Sequence, residues 1–482
     1  MDEGVMEFVG DDGLPTHDEW LDAVGAVLGD KDFDEVLVTN LSGGLQIDPL
    51  YLRDSLMQKE GTSDQFPDGG SSRRASKVSG LLDGWDIRQR HWLVTPGETN
   101  RAILTDLERG ANSIELIVGD VDQESLTETL QGVLMGMATI APIGIGDNVT
   151  VAKNFLACAE NEKIDRTELL ADLSCDPIGQ FVTQGTIRGD IDDSLIRVGD
   201  LAHYVAQEYG QVSTIRVDGS PYAHAGADHV TELAALTSTG VKYLQIMCDS
   251  GIDIEDAFRQ ILVVVTVGTD QFLDIAKIRA FREIWGRVGD ACGVTDVPLK
   301  LQASTSLSIL SKVDPWVNLL RTTIGCFAAV IGGSDIISLA SFDSAIGVPN
   351  DFGMRLARNT HLVLKEEANV HRVIDPAGGS WYVESLTDEL AESAWERFQK
   401  IEKKGGILNE LETGDLQRSI QTMRSETQRR VASNEKIIVG VNQFTSEEER
   451  VLQRKSYLER HYDSSSKKIE SLPLYRLAEG FE

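Results

Sequence analysis

From Trp85 onward the chain alternates short β-like runs with segments of helical periodicity, and it keeps this up past residue 340. The strand-like runs are WDIRQRHWLV, SIELIVGD, TIAPIGIGD, LLADLSCD, VSTIRVDGS, ILVVVTVG, LKLQASTS and DIISLASFD. Between most of them lie helical patterns such as TNRAILTDLERG, SLTETLQGVLMG, SLIRVGDLAHYVAQEYG, LDIAKIRAFREIWGRVG and WVNLLRTTIGCFAAVIGG. Strands separated by helices pair in parallel, because a helical crossover returns the chain to the same end of the sheet. Eight such units make an α/β protein whose expected architecture is a (β/α)8 TIM barrel, a fold of about 250 residues. An open doubly wound sheet is the structural alternative. Its Gly-rich fingerprint is missing from the first strand–helix turn, which reads VTPGET.

The barrel is assigned to residues 81–405. Residues 1–80 form an N-terminal arm with one amphipathic stretch, HDEWLDAVGAVLGD, and a polar run, QKEGTSDQFPDGGSSRRASK, that reads as extended. Residues 406–482 form a helical C-terminal extension that contains LQRSIQTMRSETQRRVASNEKI, a strand-like IIVGVNQF and a ragged tail. Of the 482 residues 41% are hydrophobic, enough for a large core, and the net charge of −32 argues against nucleic acid or an anionic membrane as partner. Five scattered cysteines without CxxC suit reduced thiols. The acidic start MDEGVMEFVGDD resembles no targeting peptide, and no apolar run spans a bilayer, so a cytoplasmic protein is expected.

The chemistry of a barrel sits where strands hand over to helices. At one such place, IRVDGSPYAHAGADHVTELA, the hand-over residues are Ser220 and Pro221, a hydroxyl and a residue with no N–H. The eight histidines form no HExxH or other metal-ligand spacing, so no protein-bound metal is expected. GIGDN at 144–148 is too short a glycine pattern to be a phosphate loop, and DPAGGSWY at 375–382 reads as a tight turn against the barrel. The residues alone yield a barrel without a complete catalytic constellation.

Residues 298–384 closely resemble the last third of the substrate barrel of the methylmalonyl-CoA mutase family. The matching pieces are the RTT helix, the SFD…DFGMRLARNT block and VIDPAGGSWYVE, with LDIAKIRAFREIW upstream. The resemblance implies adenosylcobalamin-dependent rearrangement of acyl-CoA thioesters, with the substrate along the barrel axis and the cofactor on a separate Rossmann-like domain. Active members carry a Tyr-His pair before MQEAGA. Aligned through AGAD…ELA, this chain has Ser220 in place of the tyrosine, Pro221 in place of the histidine and His224 in place of the glutamate. Arg90, in DIRQRH, replaces a second tyrosine, and SDIISLAS stands where TQSLHTN is found. Proline neither donates a hydrogen bond nor titrates, so a histidine's polarisation of the thioester is lost. The family's lower-ligand motif DxHxxG is absent.

GWDIRQRH and SPYAHAGA resemble the small, non-catalytic subunit of heterodimeric members. That implies a large catalytic subunit as partner, which would hold the adenosylcobalamin, and acyl-CoA as the substrate of the complex. The alternative is an active acyl-CoA mutase barrel served by a cobalamin-binding domain on another chain, which an intact Tyr-His pair would signal. A stand-alone assembly chaperone would carry a P-loop, and none is present. With no substrate to hold, the barrel axis is expected to be packed, with apolar runs such as ILVVVTVG filling it.

Overall fold

In the computed structural model, residues 16–52, 84–119, 121–295, 297–446, 452–457 and 468–482 are described. The extended run expected at 58–77 lies outside them. Eight strands form a closed, wholly parallel barrel: β1 (Asp86–Trp92), β2 (Ser113–Val118), β3 (Thr139–Gly144), β4 (Ala171–Cys175), β5 (Val212–Asp218), β6 (Ile261–Val267), β7 (Lys300–Thr305) and β8 (Ile336–Ser338). Each lies inside one of the eight strand-like runs of the sequence. Closure comes at β8, where Ile336 pairs with Asp86 of β1 and with Gln302 of β7.

The helices that follow the strands are α1 (Pro96–Glu108), α2 (Gln123–Thr129), α3 (Asn148–Asn161), α4 (Ile191–Glu208), α5 (His229–Asp249), α6 (Gln271–Cys292), α7 (Val317–Ile331) and α8 (Asp351–Leu362). Several start on an acidic N-cap: Asp147, Asp190, Asp228 and Asp270 each accept a backbone N–H from the first turn of α3, α4, α5 and α6. Part of the acidic excess thus serves as helix punctuation. Strand alternation then sorts the side chains. Ile261, Val263, Val265 and Val267 of β6 point to the main core under the helices, while Leu262 and Val264 meet Ile336 in a small separate cluster.

Beyond the barrel, α9 (Trp381–Lys403) lies across α5 and α6, followed by α10 (Gly406–Thr413) and α11 (Asp415–Ala432). The DPAGGSWY segment is the turn into α9. Arg279 of α6, wholly buried, anchors it by ion pairs to Asp375 and Glu384 and a hydrogen bond to Thr387. IIVGVNQF forms no strand, contrary to its pattern. The chain turns at Gly440, whose φ of 78° is left-handed, so that Ile438 and Val441 both reach a small cluster with Val431 and Ala478. A strand would send those two residues, three apart, to opposite faces. Of the cysteines, Cys158, Cys175 and Cys326 are buried, whereas Cys248 and Cys292 are exposed. No helix among the described residues is long and apolar enough to cross a membrane.

Two buried histidines couple this fold to pH. His91, on the outward face of β1, lies 3.2 Å from Asp106, but Arg358 of α8 already pairs with that carboxylate. Burial, and then Arg358, hold His91 down to about 3. His361 accepts the indole N–H of Trp85 on Nδ1 at 3.1 Å, and burial holds it to about 3. Both are neutral when folded and take up protons on unfolding, so their contribution is complete above an unfolded pKa near about 6.5 and is lost as pH falls toward their folded values. Urea unfolding between pH 7 and 4 is expected to show stability falling by up to about 2.7 kcal/mol per pH unit from these two groups. Substituting His361→Gln should remove about half of that slope.

Candidate functional site

The C-terminal ends of the strands open on a cavity of about 580 Å³. Arg90, Trp92, His224, Met354, Tyr457 and Leu474 are among the residues around it. A second cavity, of about 650 Å³, opens at the opposite end of the barrel beside Trp85, Asp86, Lys300 and Ile336. What separates the two decides whether anything can lie along the axis.

The axis is filled by charged side chains. Inward residues of several strands join in a single network. Toward the N-terminal end, Asp172 of β4 binds Arg88 of β1, the ammonium of Lys300 at 2.6 Å and the hydroxyl of Ser213 at 2.6 Å. Arg88 also donates to Ser113 at 2.7 Å and to Gln302 at 2.8 Å. One layer higher, Glu115 of β2 receives Arg90 at 2.5 Å, Arg216 of β5 at 2.9 Å, the Gln302 amide at 3.3 Å and the Ser338 hydroxyl at 3.1 Å. Arg216 reaches on to Asp218 at 2.8 Å. The side chains of Arg88, Glu115 and Asp172 are no more than 1% exposed. Burial alone would raise the pKa of Glu115, but Arg90 and Arg216 outweigh it and hold the carboxyl well below the usual range. Burial opposes Lys300 and Arg88 at Asp172 in the same way, and the cations prevail. Both acids are therefore ionised and matched.

The axis was expected to be filled by apolar runs, but the side chains that pack it are mostly ionic. Leu262, Val264 and Ile336 are the apolar cluster inside it, and the remaining apolar bulk of ILVVVTVG faces outward. The sequence did carry a signal of the network: DIRQRHW, SIELIV, ADLSC, VSTIRVD and KLQAST each place a charge at an inward position of an otherwise strand-like run.

The four positions singled out by resemblance are only partly brought together. Arg90 and His224 both line the C-terminal mouth, whereas Ser220 and Pro221 open the short helix Ser220–Ala225 behind it. The Ser220 N–H donates to Asp218 at 2.8 Å. His224 accepts the Leu307 N–H on Nε2 at 3.1 Å, and its own carbonyl accepts the Tyr475 N–H at 2.7 Å. Burial holds its imidazole down to about 4, so it is neutral and already committed as an acceptor.

The chain's own C-terminal segments lie over this mouth. Arg454 pairs with Asp343, the Tyr457 hydroxyl donates to the Ser344 carbonyl at 2.8 Å, and the Tyr457 ring meets Trp92 at 5.1 Å between centroids. The Leu477 N–H donates to the Ser308 carbonyl at 2.9 Å. Adenosylcobalamin does not fit this arrangement. Arg90, at the mouth, is tied to Glu115, and Tyr457 and Leu474 stand over the opening.

Residues 121–477 match the family model described as methylmalonyl-CoA mutase. The chain is 36% identical over 93% of its length to the methylmalonyl-CoA mutase small subunit of Streptomyces virginiae, covering 75% of that protein. It is 35% identical over 85% of its length to the small subunit of Propionibacterium freudenreichii subsp. shermanii, covering 64%. With the probable small subunit of Mycobacterium bovis the identity is 34% over 87% of the chain and 68% of the relative. The chain thus spans about two thirds to three quarters of the length of these relatives.

Glu115 is the test of the network. Glu115→Ala strands the wholly buried end of Arg216 and the inner end of Arg90, and is expected to lose about 3–5 kcal/mol in urea unfolding at pH 7. Arg90→Gln should lose less, since its side chain is 20% exposed and Arg216 still neutralises the carboxylate.

Proposed function

Because the chain belongs to the methylmalonyl-CoA mutase family, we propose that it is the small, structural subunit of an adenosylcobalamin-dependent methylmalonyl-CoA mutase, paired with a large catalytic subunit. In that assembly the large subunit holds the cofactor and interconverts succinyl-CoA and (R)-methylmalonyl-CoA. This chain supplies no catalytic group. The observation that carries the reading is the ion network across the axis, where the family resemblance places the acyl-CoA. A thioester threaded there would have to displace Glu115 and Asp172 from their cations, leaving charges buried without partners.

The degenerate positions support the same conclusion. Pro221 cannot polarise a carbonyl, Ser220 presents no ring, and the His224 imidazole is occupied by the Leu307 N–H. The names of the small-subunit relatives support a partner subunit, and residues 1–80 are proposed to contact it.

Three measurements test this. Titration calorimetry of the chain with succinyl-CoA should show no binding tighter than about 10 μM, some 7 kcal/mol. The chain alone, and the Ser220→Tyr/Pro221→His variant, should give no turnover with adenosylcobalamin and methylmalonyl-CoA, since catalytic groups acting as a unit contribute almost nothing when restored in part. Mixed with a large subunit, the chain should run as a one-to-one complex on size exclusion. Turnover by the chain alone would overturn the reading.

A further inference from the structure

The middles of α5 and α6 are packed tightly together. Both helices return from the C-terminal to the N-terminal end of the barrel, so they run side by side in the same direction. They meet at Gly240, where a Cβ would come within 2.6 Å of the Trp285 ring. Trp285 is itself buried, stacked on Phe281 at 5.8 Å between centroids and met edge-on by Phe258 at 5.4 Å. This contact fixes which residues face each other beyond it. Positions i+7 and i+8 return to the same face of a helix, about two turns further along. On α5 the i+8 position from Gly240 is Cys248, and on α6 the i+7 position from Trp285 is Cys292. The two thiols therefore emerge from facing sides of neighbouring helices at the same level, toward the N-terminal end of the barrel.

Two further observations agree. Cys248 and Cys292 are exposed, whereas Cys158, Cys175 and Cys326 are buried. Burial pushes the Cys248 thiol up, and the next influence on it is Cys292, ahead of Asp249 and Asp253. Asp249 is the adjacent residue in the chain, so the Cys292 sulfur lies close to that of Cys248. Both helices also end here, with Gly251 and Gly293 in left-handed conformations just beyond them, at φ of 89° and 76°. The last turn of a helix lacks part of its hydrogen bonding and opens more easily than the middle. The sulfurs can thus close to bonding distance while the contact of Gly240 with Trp285 stays in place.

We propose that Cys248 and Cys292 are a site of reversible oxidation, where a small disulfide such as oxidised glutathione converts the two thiols into a bond that braces α5 against α6. One protein thiolate attacks a sulfur of the small disulfide, forms a mixed disulfide and releases one small thiolate. The second protein thiolate attacks the protein sulfur of that mixed disulfide and expels the other small thiolate. Two electrons pass from the protein to the small disulfide, which leaves as two thiols carrying the two protons. Burial raises both protein thiols, so the first capture is slow at neutral pH. The second step is intramolecular, and proximity favours it over capture of another small disulfide. No residue of the axis or the mouth takes part, so the proposal does not rest on the subunit reading.

The test is to incubate the full chain with oxidised glutathione, block the remaining thiols after unfolding, and map the peptides by mass spectrometry. The expected product is one peptide pair joined through Cys248 and Cys292, two hydrogens lighter than the reduced pair, with Cys158, Cys175 and Cys326 still open to blocking. Excess dithiothreitol should return both thiols. At least one of Cys248→Ser and Cys292→Ser should instead hold a single glutathione that nothing displaces. Circular dichroism establishes that these variants are folded, and should they not be, mapping of the natural chain decides alone. The oxidised chain should also unfold at a higher urea concentration than the reduced one, because the bond closes the loop 248–292 in the unfolded chain. No reaction at either cysteine, two stable glutathione adducts on one chain, a bond between chains, or an unfolding midpoint that does not rise would each overturn the proposal.

Discussion

A carboxylate with no exposed surface, Glu115, lies between two guanidiniums at the centre of the barrel, and much of the rest is arranged around it. Through Arg90 it ties β2 to its neighbour β1, and through Arg216, Gln302 and Ser338 to β5, β7 and β8, strands far from it in sequence. Buried ion pairs add little net stability compared with apolar packing, because desolvation offsets most of the attraction. Their effect is on specificity. A strand slipped by one residue would turn its charge out of the axis and leave the partner buried alone, so the network fixes the register of the whole barrel.

The same network closes the axis. A barrel that carries ligand along its axis needs an interior lined by small or yielding groups. Here the groups are long, charged and mutually saturated, with Arg88, Lys300 and Asp172 forming one layer below Glu115 and Arg216. The mouth above is finished in the same spirit. His224 is occupied by backbone on both its ring and its carbonyl, and Tyr457 rests on Trp92. The polar capacity that strand ends usually offer to a substrate is taken up by the chain itself.

Much of the fold was legible. All eight strands fall within the runs that the pattern marks, because parallel strands buried on both faces read as near-continuous apolar stretches. IIVGVNQF misled for the same reason in reverse: a short apolar run is equally the mark of a buried turn, and only Gly440 in its left-handed conformation distinguishes them. Ser220, Pro221, Arg90 and His224 stood out by resemblance, yet two of the four do not line the mouth. The axis was expected to be packed, and it is, but by the wrong kind of atom. Arg88, Glu115, Asp172, Arg216 and Lys300 were passed over because each is a single charge in a different strand.

Local sequence determined which segments become strands and helices, since periodicity and N-caps act over a few residues. It also determined that the hand-over after β5 holds a serine and a proline, which no fold can turn into an acid and a base. Which charges meet was decided only by the tertiary structure. Glu115 and Arg216 are 101 residues apart, Arg88 and Gln302 are 214 apart, and nothing local to any of them says that closing the barrel will place them on one axis. Barrel closure brings them together, and the low dielectric of that interior then makes each pairing obligatory.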